Sequence, residues 1–149
     1  VRAPKGDADP LSDIRTSADL VLIDAPCTGT GTWRRNPDAK WRIRPGALEV
    51  RLKEQAEVLD RAAPLVKLGG RIVYITCSVL PAENNAQIRG FLARQPGFSV
   101  VPPAQVASPL WDKAEDFLAA TLQSPEGLLM TPRRTGTDGF FVSVLRKAG

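Results

Sequence analysis

Residues 19–35 read DLVLIDAPCTGTGTWRR. The four consecutive apolar residues Leu20 to Ile23 run into an acid, Asp24, then a proline and a cysteine. Continuous rather than alternating apolarity predicts a strand covered on both faces, as in a parallel sheet. A second buried-type strand, 71–76 (RIVYIT), also runs into a cysteine, Cys77. Between them, Pro45-Gly46 opens a predicted helix. Its Leu48, Leu52, Ala56, Leu59, Ala63 and Val66 recur at spacings of three or four. Pro64 is expected to kink the last turn of that helix and Gly69-Gly70 to stop it.

Downstream, Pro81 suits the first turn of a helix over 81–95, with Ile88, Phe91 and Leu92 inward. Residues 98–101 read as a third short strand, and a helical patch spans roughly 111–122. Residues 128–131 and 140–146 read as two strands facing each other across PRRTGTDG. Residues 1–18 read as a strand remnant and a loop, and 25–45 as a long loop of the kind that carries function. The alternation of strands and helices predicts an α/β fold with a mostly parallel sheet and a C-terminal antiparallel hairpin. The length of 149 residues suits a single domain.

The chain contains no histidine, which removes Ser-His-Asp and Cys-His catalysis and any His-ligated metal. Two cysteines cannot supply a structural zinc site, so no metal is expected. Acid–base chemistry then falls to Asp, Glu, Lys, Tyr or Cys. No apolar run approaches bilayer length and 1–10 lacks a secretory pattern, so a cytoplasmic protein without a membrane partner is expected. Basic residues cluster at Arg34, Arg35, Lys40, Arg42 and Arg44, against the single acid Asp38, with Trp33 and Trp41 in or beside the stretch. This pattern fits either a surface that binds phosphates and stacks bases or a solvated loop with two core tryptophans.

Ligands of open α/β sheets bind beyond the carboxyl ends of the strands. Both cysteines are expected at that edge. If their strands are neighbours, both thiols face one crevice. A catalytic thiol needs activation, and a helix starting near Pro81 would supply it to Cys77 from its N-terminus, with Arg34 and Arg35 as further sources. The segment GTGTWR lacks the third glycine of a dinucleotide fingerprint and the Gly-Lys-Ser/Thr of a phosphate loop. Its glycines are read instead as tight turns that allow close approach.

DAPCTGTG with RRNPD and Trp41 after it, TCSVLPAEN at 76–84 and TPRRTGTDGFF at 131–141 together resemble three motifs of the RNA cytosine-C5 methyltransferases of the NOL/NOP/Sun (RsmB-like) family. The resemblance spans nearly the whole chain. It implies a Rossmann-like class I methyltransferase sheet, with this chain as the C-terminal half of the catalytic domain and the N-terminal strands missing. It implies S-adenosylmethionine as cofactor and RNA as partner, ribosomal or transfer. Cys77 would attack carbon 6 of a flipped-out cytosine, Cys27 would help release the product, and Asp24 would hydrogen-bond the base. Asp7, Asp24 and Pro26 would meet the cofactor, and the five basic residues would meet RNA. A chain without its N-terminal half is expected to bind the cofactor weakly on its own. Thr28 stands where the family commonly has Ser, and Asn85 where it often has a second Glu. The alternatives are a DNA cytosine-C5 methyltransferase with Cys27 as nucleophile, and a non-catalytic RNA-binding remnant.

Overall fold

A computed structural model describes residues 11–149 of the chain. A six-stranded mixed sheet carries helices against one of its faces. Its main path runs β1 (Ala18–Asp24), β2 (Val66–Thr76), β6 (Phe140–Lys147), β5 (Gly127–Met130), β4 (Leu122–Ser124), and β3 (Phe98–Val100) pairs with β6 off that path. β1 and β2 are parallel, and the other four pairings are antiparallel. Four strands nevertheless point the same way, because β6 and β4 alone run against β1, β2, β3 and β5. The expected α/β class holds, and so does the facing of 128–131 and 140–146. The antiparallel part is larger than a closing hairpin, since β6 inserts between β2 and β5.

Helix α1 (Ala47–Ala62) starts after Gly46, whose φ of 78° suits a residue without a Cβ. Its inward stripe is Gln55, Leu59 and Ala62. With Ile88 and Phe91 of α2 (Asn85–Arg94), it covers Ile23, Ile72, Tyr74, Phe141 and Leu145 of the sheet. Along β2 the alternation is strict at its far end, with Ile72, Tyr74 and Thr76 fully buried between partly exposed neighbours. Register places these beside Leu145, Ser143 and Phe141 of β6, so one pleated face forms the core. Burying Ile72, Leu145 and Phe141 stabilises the fold by about 1.5–3 kcal/mol each.

Several sequence expectations change. β1 is not covered on both faces: Leu20 and Leu22 are 53% and 61% exposed, while Ile23 is buried. Among the described residues β1 pairs only with β2 and so forms an edge. Gly69-Gly70 does not stop a helix. It lies inside β2, at an irregularity where the partner of Ala18 is Val66 and that of Leu20 is Arg71. α1 ends at Ala62, before Pro64, which therefore kinks nothing. The helix expected from Pro81 begins at Asn85, because residues 81–84 form a hydrogen-bonded turn in which Pro81 O accepts from Asn84 N and Ala86 N. The patch at 111–122 divides into a 3-10 segment (Ser108–Lys113) following α3 (Pro103–Ala107), and α4 (Ala114–Ala120). The strand remnant expected at the N-terminus lies largely, and Asp7 wholly, outside the described residues.

Candidate active site

The parallel register of β1 and β2 pairs Asp24 with Ile75, so the two strands end side by side. The chain leaves each strand at the same sheet edge. Ala25 N–H still donates to Ile75 O, at 2.8 Å. This brings Cys27 and Cys77 together, with their sulfurs 3.4 Å apart. Both are free thiols, and both are partly exposed. Asp24 stands exposed at the end of β1. Its charge reaches Cys77 and opposes ionisation there.

The two thiols are not equivalent. Hydrogen bonding from Cys27 pulls Cys77 down to about 7 from an ordinary 9.0, against the opposing effect of burial. The same contact, together with burial, pushes Cys27 up. The contact thus sets the two thiols apart, Cys77 toward ionisation and Cys27 away from it. The source of activation differs from the expected helix N-terminus, which begins only at Asn85.

Glycines hold the third wall. Gly31 N–H donates to Cys77 O at 2.9 Å, and Gly139 N–H donates to Gly31 O at 2.8 Å. The loop after β1 is thus clamped between the end of β2 and the start of β6. A Cβ on Gly31 would sit 2.2 Å from Gly139 O, so no other residue fits this crossing without movement. The close approach expected of the GTG segment is therefore made to the protein's own C-terminal motif.

Beneath the thiols lies a buried polar network that sequence reasoning missed. Glu83 is fully buried. Its carboxylate accepts from Thr28 N (2.8 Å), Thr28 Oγ1 (2.5 Å), Gln55 Nε2 (3.0 Å) and Ser78 Oγ. Gln55 Nε2 also donates to Pro26 O at 2.8 Å, which fixes the turn before Cys27. Tyr74 OH donates to Glu83 O at 2.7 Å, and burial raises its own pKa. Thr76 Oγ1 donates to Asn84 Oδ1 (2.6 Å), and Asn84 Nδ2 donates to Ser78 O (2.9 Å). The available signal was the polar run Thr76 to Asn84 next to a strand end. Sequence alone does not show that its acid points inward.

The basic stretch divides in two. Arg35 pairs with Asp138 at 2.7 Å, and Arg34 Nη2 reaches Gly136 O at 3.4 Å, so these two tie the loop to the β5–β6 connection. Lys40, Arg42 and Arg44 lie exposed on or just after the 3-10 segment Pro37–Arg42. Arg42 pairs with the exposed Asp38. Arg42 and Arg44, with Arg51 of α1, line a cleft of about 270 Å³ that reaches Cys27 and Thr28. The tryptophans also separate. Trp33 has its indole Nε1 buried, whereas Trp41 is 80% exposed with Lys40 Nζ 4.9 Å from its ring centroid. The stretch therefore combines one inward tryptophan with one exposed basic-aromatic surface.

Among the described residues no group of three or more His, Cys, Asp or Glu is arranged to hold a metal ion. None of their helices is long and apolar enough to cross a membrane.

The family model described as 16S rRNA methyltransferase RsmB/F matches residues 4–146. Ribosomal RNA small subunit methyltransferase B of Cronobacter sakazakii is 41% identical over 132 residues, covering 89% of this chain and 27% of that protein. The probable ribosomal RNA small subunit methyltransferase B of Synechocystis sp. is 40% identical over 131 residues, covering 87% and 27%. The chain thus spans about a quarter of the length of these relatives. Among solved structures, that of PH0851 superposes with a TM-score of 0.72 at 37% identity, covering 89% of this chain and 27% of that one. NSun6 from Pyrococcus horikoshii, solved with SFG, superposes with a TM-score of 0.61 at 25% identity, covering 86% and 29%.

Proposed function

The chain belongs to the RsmB/F family of 16S rRNA methyltransferases, and on that premise we propose that it carries the thiol half of a centre that methylates carbon 5 of cytosine in RNA. The observation that carries this reading is the contact of two unequal thiols at the ends of adjacent parallel strands, with an exposed acid beside them. Ribosomal RNA is the favoured partner, because the relatives are named for it.

The residues present fit S-adenosylmethionine at one point. Asp24 offers an exposed carboxylate at the sheet edge that holds the thiols, suited to a cationic cofactor. Pro26 is held beside it by Gln55. The family neighbour solved with SFG, an analogue of S-adenosylmethionine, supports the same cofactor. That cofactor supplies an electrophilic methyl group.

In this reading Cys77 adds as thiolate to carbon 6 of the cytosine, and the displaced π electrons make carbon 5 nucleophilic. Asp24 holds the base by hydrogen bonding. After carbon 5 has taken its methyl group, its proton passes to a base, the electron pair left behind re-forms the double bond between carbons 5 and 6, and Cys77 leaves as thiolate. Cys27, in contact with Cys77, assists at that step. The base must leave its stack, which costs a few kcal/mol and least in single-stranded RNA. Lys40, Arg42 and Arg44 line the approach for phosphates, with Trp41 as an exposed ring for stacking.

Substitution tests the assignment in the full-length polypeptide. With cofactor and a cytosine-containing RNA, Cys27→Ala is expected to trap a covalent protein–RNA adduct that survives denaturation. Cys77→Ala is expected to abolish it. The reverse pattern would transfer the nucleophile's role to Cys27 and overturn the reading.

A further inference from the structure

Each cysteine is followed at once by a hydroxyl residue, Thr28 after Cys27 and Ser78 after Cys77. Both hydroxyls donate to one carboxylate oxygen, Oε2 of Glu83. The other oxygen accepts from the Thr28 main-chain N–H and from Gln55. We propose that Glu83 is a positioning residue, whose buried carboxylate bridges the two cysteine loops and holds the sulfurs of Cys27 and Cys77 in contact.

The role is mechanical. Glu83 is fixed on the Cys77 side by its own turn, where Glu83 N donates to Leu80 O at 3.0 Å and Tyr74 OH to Glu83 O. From there the carboxylate crosses to Thr28, 55 residues away in the chain. Each donor to it is neutral. A buried carboxylate supported only by neutral donors is costly to hold, and that cost falls at the junction of the two loops. Its charge cannot be what activates Cys77, because a nearby negative charge disfavours a thiolate, and Glu83 opposes ionisation of Cys77. What the residue contributes is the sulfur–sulfur contact, through which Cys27 lowers Cys77. The assignment bears on catalysis through the proposed pairing of the two thiols, but it is read from thiol chemistry alone.

The test follows alkylation of Cys77 across neutral pH by peptide mass spectrometry, and closure of the Cys27–Cys77 disulfide by diamide, which takes up the two electrons and two protons released. Glu83→Ala is expected to move the Cys77 inflection from about 7 toward 9.0. At neutral pH that is a loss of roughly tenfold or more in alkylation rate, with disulfide closure slowed alongside it. Glu83→Gln keeps the connections, because the Thr28 and Ser78 hydroxyls can turn to accept from its amide, and it is expected to restore both readouts. A role confined to stability lowers the melting temperature and leaves both unchanged. A folded Glu83→Ala with the native inflection and native closure rate overturns the proposal. If that variant does not fold, Glu83→Asp draws the carboxylate back by one methylene from the Thr28 N–H and from both hydroxyls, and a native inflection with a native closure rate there overturns it equally. Neither readout uses RNA or cofactor, so failure of the methyl-transfer reading and failure of this assignment are separate results.

Discussion

At the scale of single residues, the site works by asymmetry between two like groups. One shared hydrogen bond lowers Cys77 and raises Cys27. The folded pKa of Cys77 lies below its ordinary value, so the stability its thiolate brings is fully present above 9.0, declines below that, and is lost as pH falls through about 7. Alkylation of Cys77 is therefore expected to inflect near 7 in the native chain. Cys27→Ala should shift the inflection toward 9.0 by removing the donor. An unshifted inflection in that variant would show that the sulfur contact does not set the acidity. Gly31 supplies a second residue-scale prediction. Gly31→Ala forces a methyl group against Gly139 O, and overpacking of this kind costs about 1–3 kcal/mol. Urea unfolding should show that loss, whereas Gly46→Ala, with nothing within 4 Å of the added carbon, should lose only what its positive φ imposes.

Among the elements, what was legible depended on whether a local signal matched its tertiary setting. β1 and β2 were readable because apolar runs ended in chemically distinctive residues, and their adjacency follows from the register of Asp24 with Ile75. The convergence of Cys27, Cys77 and Asp24 was therefore in reach of sequence reasoning. Glu83 was not, because an acid in a polar turn carries no mark of burial. Gly69-Gly70 misled for a related reason. A glycine pair after an apolar stripe is an ordinary helix stop, but here pairing with β1 draws it into β2, where a Cβ on Gly70 would meet Ala18 O at 3.0 Å. The loop between β1 and α1 shows how one basic segment can serve two ends. Arg35 is engaged with Asp138, whose carboxylate is largely buried while the guanidinium stays exposed. Lys40, Arg42 and Arg44 face solvent. Replacing all three with Ala in the full-length polypeptide should weaken RNA binding across sequences. It should also shrink the salt dependence of binding by about one unit of slope for each phosphate no longer neutralised. Binding measured at two or more salt concentrations checks this. An unchanged slope would place the RNA elsewhere.

For the molecule as a whole, the sheet is covered unequally. Ile23 faces the helices and Leu22, next in the chain, faces away. Ile23→Ala should cost about 2–5 kcal/mol, as expected for a large-to-small change in a core. Leu22→Lys should change the stability of this chain by less than about 0.5 kcal/mol. Denaturant titrations of both variants compare the faces directly, and a large loss from Leu22→Lys would mean that this face is packed.

The crossing of Gly31 with Gly139 also orders events in time. A chain made from its N-terminus exposes Cys27 and Cys77 long before residues 139–147 exist to clamp the loop between them. Until β6 docks, Gly31 O lacks the N–H that holds it and β2 lacks its neighbour on that side. The clamp on the loop after β1 is thus completed only once almost the whole described chain has been made. Nascent chains halted short of residue 139 should consequently leave that loop more open to protease than the finished chain does.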